Sequence, residues 1–569
     1  MHCFMSFSHP QFLITVKTNT MKKLHLLTFT CFPLLIFCFI GFGQTPDWTA
    51  KYNNAGPGKV MSTDAAGNIY VSGPGDGGTK SGGIDFITIK YKPDGSQDWA
   101  MKYNGPNSGE DYPYAIAVDA GGNVYVTGRS FVSNAPKGLL NFDYATVKYS
   151  PTGALLWARR FGSPGNRNDV PQDVKVDNAG NVFVTGYADA NVVLGGGNSI
   201  VTVKYNSAGD AKWTATYDML PNSYETSANQ EEAYSLALDG NGNVYLTGQS
   251  GGSILVKYND LGTSANLEWI RNAGDQSLRK VLVDGDDNII VTGWGATTMK
   301  YNSAGDILWQ SNYAGGPSIA DPSFWDMALD ATGSVYVTGI SSNGTNNDYI
   351  TVKYNSNGIE QWATRFNGID NDRDHARAIA VDGNGHAYVT GFTSVKSGRN
   401  FIYAYGTVKY NSSTGSEVWR KIYNGSDNLG ATAFDIAVDL SGNLFVTGGS
   451  TTKSSGNITT IQYSAGRSAS RSVTTAPAVE ALQNNFSLKN YPNPFSQSTT
   501  IEYQLPVEGK VKLSVFDLSG HEITTLVNEN KQAGTHFVNF NAAKLSGGMY
   551  LYRIQAEEFV ETKKLVVIK

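Results

Sequence analysis

The sequence predicts an all-β fold, a β-propeller followed by a small β-sandwich. A ten-residue strand motif recurs eight times, and a Lys-Tyr, turn, Trp motif follows seven of the eight copies. Such self-similarity at a period of about 50 residues is the signature of propellers and other repeat folds. After Tyr463 the composition changes, and short alternating strands predict a separate C-terminal module.

The first motif is an Asp, three turn residues that usually include Gly and Asn, a β-rich run and a Gly. Successive copies are 45 to 62 residues apart. The copies are Asp64–Gly73, Asp119–Gly128, Asp177–Gly186, Asp239–Gly248, Asp284–Gly293, Asp330–Gly339, Asp382–Gly391 and Asp439–Gly448. An apolar strand (a) precedes each Asp, and the β-rich run is strand b. The Asp bonds its own backbone and Gly or Asn takes positive φ, which predicts a hairpin turn.

The second motif supplies strands c and d, because strand c ends in Lys-Tyr and strand d begins at Trp. The eighth copy ends at Gln462-Tyr463 with no Trp after it, whereas Trp48 has no repeat before it. We therefore predict that Trp48–Tyr52 forms the missing strand d of the last blade and closes the ring, which hides the edge strands. Eight motifs favour eight blades, and seven is the alternative if one copy is degenerate.

These repeats resemble the bacterial β-propeller repeat family labelled SBBP, from about Trp48 to Tyr463. Residues 486–569 resemble the type A C-terminal sorting domain of the type IX secretion system. The matching segments are Tyr491–Phe495, Val515–Gly520, Gly547–Tyr550 and Lys563–Lys569. This second resemblance implies a Bacteroidetes-type Gram-negative bacterium, passage through the periplasm and contact with the secretion machinery. An ordinary Ig-like adhesive module is the alternative.

The N-terminal segment 1–43 has the features of a signal peptide, with Met21-Lys22-Lys23 before an apolar run that ends near Gln44. An uncleaved membrane anchor is the alternative. The predicted domains are this segment, the propeller at 44–463, a Ser-, Ala- and Thr-rich linker at 464–485, and the sorting domain at 486–569. The three cysteines all lie before residue 44, so the mature protein has no disulfide and no thiol nucleophile.

Composition and motifs give no support for catalysis. The net charge of -5 is small for 569 residues, which argues against nucleic acid as a partner. No Ser-His-Asp set, paired-His zinc motif or phosphate-binding glycine loop is present. The acidic turns at 239–243 and 284–288 suggest calcium, but both lack the downstream Glu of an EF-hand. We predict no cofactor or metal, with calcium as the alternative.

Candidate ligand-binding residues lie on the face formed by the variable b–c and d–a loops, because binding sites concentrate on variable loops of rigid scaffolds. A carboxylate recurs eight residues before the motif Asp, in the form of Asp111, Asp169, Glu231 and Asp374. A partial carboxylate ring could hold a cation or polar ligand. The alternative is that these carboxylates cap backbone N–H groups. Trp325 is the aromatic candidate for stacking on a sugar, together with Tyr112, Tyr114, Tyr234 and Phe324.

We expect an exported cell-surface or secreted propeller protein that binds a glycan or protein without catalysis. One alternative is a glycan-active hydrolase or lyase, which requires two carboxylates about 5–10 Å apart in the central pocket. The other alternative is a structural component of a surface layer.

Overall fold

The structure is a computed structural model, and it describes most of the chain from residue 46 to residue 568. Within that span it leaves out residues 77–82, 133–140, 165–167, 190–197, 219–230, 275–276, 314, 316–321, 399, 426–427, 453–454, 465–486, 492, 494, 496, 506–508, 518–520, 533, 544 and 557–558. The predicted signal peptide and nearly all of the predicted linker lie outside the described residues. The chain divides into two compact units, residues 1–468 and 469–569.

The first unit consists of β-strands joined by turns and loops, and its described residues contain no helix. In chain order these strands are β1 (Trp48–Asn53), β2 (Val60–Thr63), β3 (Ile69–Asp76), β4 (Ile84–Tyr91), β5 (Gln97–Tyr103), β6 (Asp111–Val118), β7 (Val124–Phe131), β8 (Phe142–Tyr149), β9 (Leu155–Phe161), β10 (Val170–Val176), β11 (Val182–Asp189), β12 (Asn198–Tyr205), β13 (Ala211–Tyr217), β14 (Glu232–Leu238), β15 (Val244–Gln249), β16 (Ser253–Asp260), β17 (Ala265–Asn272), β18 (Leu278–Val283), β19 (Ile289–Gly293), β20 (Thr297–Tyr301), β21 (Ile307–Asn312), β22 (Ser323–Leu329), β23 (Val335–Ser342), β24 (Asn347–Tyr354), β25 (Glu360–Phe366), β26 (Asp374–Val381), β27 (Ala387–Ser397), β28 (Asn400–Tyr410), β29 (Glu417–Tyr423), β30 (Ala431–Val438), β31 (Leu444–Thr451) and β32 (Gly456–Tyr463).

These strands form antiparallel four-stranded sheets in a propeller-blade pattern. Sheets 1 to 7 each take four consecutive strands, from β2–β5 to β26–β29, and sheet 8 combines β30, β31, β32 and β1. Strand β1 pairs with β32, from Trp48 opposite Gln462 to Asn53 opposite Asn457. The predicted pairing of the N-terminal Trp48 strand with the last repeat is therefore present.

The recurrent Asp closes each a–b hairpin turn. In sheet 2, Asp119 Oδ1 accepts hydrogen bonds from the backbone N–H groups of Gly121 and Asn123, both at 2.9 Å. Its Oδ2 accepts from the Asn123 amide and the Tyr125 hydroxyl, both at 2.8 Å. Gly122 adopts a φ of +77°, which favours glycine. The Asp-x-x-Gly-Asn motif thus supplies every group that its own turn requires.

The recurrent Lys and Trp join neighbouring sheets. Trp99 Nε1 and Lys90 Nζ of sheet 1 both donate to the carbonyl oxygen of Pro151 in the c–d turn of sheet 2, each at 3.0 Å. Trp48 of sheet 8 does the same to Pro93 of sheet 1, at 3.2 Å. A buried Trp usually finds a partner for its N–H, and here that partner lies on the next sheet.

The apolar core lies between sheets. Each of eight clusters of buried side chains combines residues of two adjacent sheets, and one of them joins Phe445 and Ile458 of sheet 8 to Val71 and Ile87 of sheet 1. The first strands of successive sheets also contact one another in order, and β30 contacts β2. The first strands therefore line a common central cavity.

The second unit contains two sheets around one apolar core. Its strands are β33 (Ser487–Tyr491), β34 (Ser498–Leu505), β35 (Gly509–Phe516), β36 (Glu522–Lys531), β37 (Gly534–Asn541), β38 (Gly548–Ala556) and β39 (Phe559–Val567). The sheet orders are β33-β34-β37 and β36-β35-β38-β39, and the core includes Ile501, Leu513 and Tyr552. Strand β36 is a mostly exposed edge strand rich in polar residues. No helix in the described part of either unit is long and apolar enough to cross a membrane.

Candidate ligand-binding site

A β-bulge shapes the start of the inner strands. In sheet 2 the pairing of β6 with β7 shifts between Pro113 and Ala115, which leaves Tyr114 as the extra residue. The motif glycine permits this geometry, because a Cβ on Gly128 would lie 2.0 Å from the carbonyl oxygen of Tyr112. Bulges are known to redirect side chains beside binding sites.

The same shift occurs in each of sheets 3 to 8. In sheet 1 the inner strand begins later, and Lys59 occupies the equivalent place just before β2. We call these eight residues the mouth ring. They are Lys59, Tyr114, Gln172, Tyr234, Arg279, Trp325, Arg377 and Phe434. Each stands five residues before a motif Asp. All eight are half-buried, so they are accessible from the loop face on which the inner strands begin.

Below the mouth ring is a cavity of about 440 Å³, lined by the first strands of all eight sheets. Three carboxylates face it, and each accepts a backbone N–H from the next sheet. Asp173 accepts from Leu236 at 2.9 Å, Asp326 from Ile379 at 3.0 Å and Asp435 from Met61 at 2.7 Å.

Two of the cavity carboxylates also have lysine partners. Asp173 lies 2.6 Å from Lys175 Nζ, and Asp326 lies 2.9 Å from Lys280 Nζ. The third has no such neighbour within ion-pair distance among the described residues. Burial, with the Asp326 charge nearby, raises the pKa of Asp435 to about 7.

Around the mouth, cations stack on aromatic rings in a continuous series that we call the mouth arc. Its members come from six sheets and are Lys59, Phe434, Arg377, Phe392, His375, Trp325, Trp294, Arg279 and Tyr234. The Arg279 guanidinium lies 4.0 Å from the centre of the Tyr234 ring and 4.4 Å from that of Trp294. Lys59 and Arg377 lie 3.7 and 4.3 Å from the Phe434 ring.

The cations of the mouth arc have no acidic partner among the described residues. Within the described residues, no carboxylate oxygen lies within 4.0 Å of Lys59, Arg279 or Arg377. Burial, and then the Arg377 charge, lowers the pKa of both Lys59 and His375. Burial likewise lowers the pKa of Arg377. The lowered pKa values are those expected where like charges gather and water is partly excluded.

Several N–H donors at the mouth also have no acceptor. The Nε atoms of Arg129, Arg279 and Arg377 and the Nε1 of Trp325 are buried and make no hydrogen bond to any described residue. Arg129 resembles the others in its packing, because its guanidinium lies 4.7 Å from the Tyr112 ring. Most buried polar atoms in proteins are paired, so a group of unpaired donors requires an explanation.

Beside the mouth lies an open groove of about 810 Å³. The long hairpin of β27 and β28 forms one wall, and Phe401 and Tyr403 on it are 47% and 48% exposed. Phe434 belongs both to this groove and to the mouth ring, and Tyr403 packs 4.5 Å from Phe392 between ring centres. The groove therefore extends the mouth arc outward.

The four carboxylates that the sequence singled out are buried. Asp111, Asp169, Glu231 and Asp374 are at most 2% exposed. Asp111 Oδ2 accepts from Gly105 N–H at 2.6 Å, and Asp169 accepts from both the N–H and the hydroxyl of Ser163, at 2.5 and 2.7 Å. Glu231 accepts from the Ser250 hydroxyl at 2.6 Å, and Asp374 from Gly368 N–H at 2.5 Å. Asp111, Asp169 and Asp374 thus cap backbone N–H groups, Glu231 binds a side-chain hydroxyl, and none of the four is exposed to solvent.

The aromatic candidates divide between the mouth and the core. Trp325 occupies the mouth ring, with its ring centre 5.9 Å from that of Trp294 and 5.4 Å from that of His375. Tyr114 and Tyr234 lie in the ring as well, whereas Phe324 is fully buried.

The acidic turns that suggested calcium are occupied by the chain's own donors. Asp239 Oδ1 accepts from Asn241 and Asn243 N–H groups, and Asp284 pairs with Lys300 at 2.7 Å. In the described residues no group of three or more His, Cys, Asp or Glu side chains is arranged to hold a metal ion.

The sequence reasoning missed the cations of the mouth, Lys59, Arg279 and Arg377. The signal was available, because each stands at a fixed distance of five residues before its motif Asp. The bulge that brings this position to the cavity is also indicated in the sequence, by the invariant glycine on the opposite strand.

Repeated four-stranded sheets around a central cavity define a β-propeller protein. Residues 156–192 match the family described as beta-propeller repeat, SBBP. Residues 489–569 match the secretion system C-terminal sorting domain, the type IX sorting tail. The tail implies export to the cell surface or secretion, and interaction with the secretion machinery.

Individual relatives are distant. An uncharacterized WD repeat-containing protein, L264 of Acanthamoeba polyphaga mimivirus, is 24% identical over 371 residues, which are 56% of this chain and 23% of that protein. The matched region is thus less than a quarter of the relative's length.

Among solved structures, BamB from Moraxella catarrhalis is 14% identical, with a TM-score of 0.41, over 74% of this chain and 100% of that chain. Sqt1 from Chaetomium thermophilum is 10% identical, with a TM-score of 0.46, over 75% and 99% of the two chains. At these scores the likeness carries no functional argument.

Proposed function

We propose that this protein is an eight-bladed propeller, closed by β1, that is exported to the cell surface or medium and binds a ligand without catalysis at the mouth of its central cavity. The observation that carries the proposal is the mouth ring. In every sheet a bulge, or its equivalent, directs one half-buried side chain to the entrance, and these side chains are mainly aromatic or cationic. Ligand sites are typically concave, with aromatic walls and a few convergent polar groups.

The blade number rests on the eight four-stranded sheets and on the contact between β30 and β2. In the same proposal the second unit is an Ig-like sandwich, since two antiparallel sheets share one core there. The buried carboxylates Asp111, Asp169, Glu231 and Asp374 hold the loops that frame the mouth, and Trp325 contacts the ligand. No cofactor is required, and export proceeds through the periplasm.

Binding is tested with the purified protein on an array of polysaccharides and proteins, with and without calcium, followed by analysis of the glycans for cleavage. The proposal predicts saturable binding, no products, and loss of binding in Trp325→Ala. Loss in Phe324→Ala but not in Trp325→Ala would place the site elsewhere. Silence of the whole array would favour a structural role in a surface layer.

The hydrolase alternative has one observation in its favour. Asp435 has a pKa near neutrality and senses the charge of Asp326, which suits a general acid beside a second carboxylate. Against it, each of these carboxylates accepts a backbone N–H from the next sheet. Turnover of any glycan that is lost in Asp435→Asn would establish the hydrolase and overturn the non-catalytic proposal.

Export is tested by deleting residues 486–569. The proposal predicts that the propeller then accumulates in the periplasm. Arrival of the truncated protein at the surface would show that the tail is not the export signal.

A further inference from the structure

We infer that the mouth arc binds an acidic polysaccharide, with sugar carboxylate or sulfate groups on the guanidinium edges and sugar faces on the aromatic rings. This inference rests on the proposed binding function of the mouth and names its ligand class.

The cations of the mouth arc favour a negatively charged ligand. Lys59, Arg279 and Arg377 gather at one entrance, and no carboxylate of the described chain lies within ion-pair distance of them. Burying a charge without a partner is costly, so proteins normally pair such groups or leave them in water. Elsewhere in the described chain, partly buried cations bond a carboxylate, as Lys102 does to Asp85 and Lys300 to Asp284, or a backbone carbonyl oxygen, as Lys148 does to Ser207. Lys59, Arg279 and Arg377 have neither kind of partner among the described residues, and a negatively charged ligand would neutralise them.

Aromatic rings surround both arginines of the mouth arc. The Arg279 guanidinium lies 4.0 and 4.4 Å from the Tyr234 and Trp294 ring centres, and that of Arg377 lies 4.3 and 5.7 Å from the Phe434 and Phe392 ring centres. A stacked guanidinium keeps its planar N–H edge available, and that edge matches the two oxygens of a carboxylate or sulfate. Within the described residues, the Nε atoms of both arginines are buried and have no hydrogen-bond partner. Aromatic packing, and not acceptors of the described chain, therefore holds the two guanidinium groups.

The exposed aromatic rings at the mouth and along the groove favour a glycan among the possible anionic ligands. Trp294 is 42% exposed, and Tyr403 and Phe401 continue the aromatic surface along the groove. Broad exposed rings suit the apolar C–H faces of sugars, with charged groups at the ring edges. Three cations over a cavity that contains three carboxylates are too few for tracking a nucleic-acid backbone, which is bound through many phosphate contacts. An acidic peptide offers charge but few rigid faces for stacking.

The inference is tested by titrating the purified protein with polygalacturonate, dextran sulfate, neutral dextran, poly-glutamate and poly-dT. We expect binding to polygalacturonate or dextran sulfate that weakens as NaCl is raised, because salt screens the charges. Replacing Arg279 or Arg377 by Gln should weaken it by about tenfold each, the equivalent of one charge-assisted hydrogen bond. Arg420→Gln is the matched control, because Arg420 is an outer-strand arginine paired with Glu417 at 2.6 Å. It should bind as the unaltered protein does.

If the Gln variants do not fold, Arg279→Lys and Arg377→Lys retain the charge but lose the planar fork, and each should bind more weakly by a factor of about three. Equal losses in Arg420→Gln would overturn the inference. Binding to neutral dextran alone would overturn the acidic class and leave the proposed binding function intact. Preference for poly-glutamate or poly-dT would replace the glycan by a peptide or nucleic acid. Binding to none of the five probes would overturn the inference, and silence on the wider array as well would overturn the proposed function.

Discussion

The two ends of the inner strands differ in how their polar groups are satisfied. At the end with the a–b and c–d turns, each motif Asp is surrounded by donors of its own turn, and Lys and Trp from the neighbouring sheet bond the turn carbonyls. At the mouth end, guanidinium donors and a Trp N–H have no partner within the described chain. The groups at the first end stabilise the fold, whereas the unpaired donors and cations at the mouth are available to a ligand. Substitutions at the first end should therefore cost stability, and those at the second should mainly change binding.

The largest effect should come from removing the strand that completes sheet 8. Deletion of residues 46–53 leaves β32 as an open edge and removes the Trp48 contact with the next sheet. We expect loss of several kcal/mol of stability and a tendency to aggregate, measured by calorimetry and gel filtration. Moving Trp48–Asn53 to follow Tyr463 should restore stability, since the same pairing is then made within one chain segment. A deletion protein as stable as the full chain would contradict the closure.

A smaller loss should follow at a c–d turn. Gly95 has a φ of +83°, and a Cβ there would lie 2.4 Å from the Trp48 ring. Gly242 has a φ of +84° with nothing within 4 Å. Gly242→Ala should therefore lower the free energy of unfolding by about 1 kcal/mol, because only the backbone is strained. Gly95→Ala should lower it further, because the added methyl group also displaces the Trp48 ring. Equal melting temperatures for the two variants would show that the Trp contact contributes nothing.

The motif Asp of sheet 7 should stabilise the fold in a pH-dependent way. Although burial acts in the opposite direction, hydrogen bonds from His386 and Tyr388 lower the pKa of Asp382 to about 2. A carboxyl group with a depressed folded pKa adds stability above its unfolded pKa of about 4 and loses it as the pH falls toward 2. Asp382→Asn should lower the melting temperature at pH 7, by an amount equivalent to about 2 kcal/mol, and have little effect near pH 2. A difference that does not change with pH would contradict this account.

A pH effect of opposite sign belongs to a carboxyl group of the central cavity. Asp435 has a folded pKa of about 7, above its unfolded value. Its folded form holds a proton that the unfolded chain has released, so stability falls as the pH rises from about 4 to 7. Asp435→Asn should flatten this slope and raise the melting temperature at pH 8, by an amount equivalent to at most about 4 kcal/mol. A lower melting temperature for the variant at pH 8 would show that the charge of Asp435 is stabilising.

The sequence predicted the first end far better than the second. The turns depend on local contacts, so the motif predicted the hairpin that Asp119 forms with its own turn. The closing strand depends on the repeat pattern, so the missing strand d of the last repeat predicted the pairing of Trp48–Tyr52. The mouth depends on a β-bulge, which moves the residue five places before each motif Asp to the entrance. That position holds six different residue types in eight repeats, so Arg279 and Arg377 do not stand out as a motif. Asp111 and Asp374 do recur, and recurrence there reflects loop capping within each sheet.

The central claim is that the guanidinium edges at the mouth are kept for an anionic ligand. The most direct measurement is a crystal structure of the protein with an oligogalacturonide. We predict carboxylate oxygens of the sugar within about 3.2 Å of a guanidinium nitrogen of Arg279 and of Arg377. An oligosaccharide bound away from both arginines, or arginines paired with carboxylates of the protein itself, would contradict the claim.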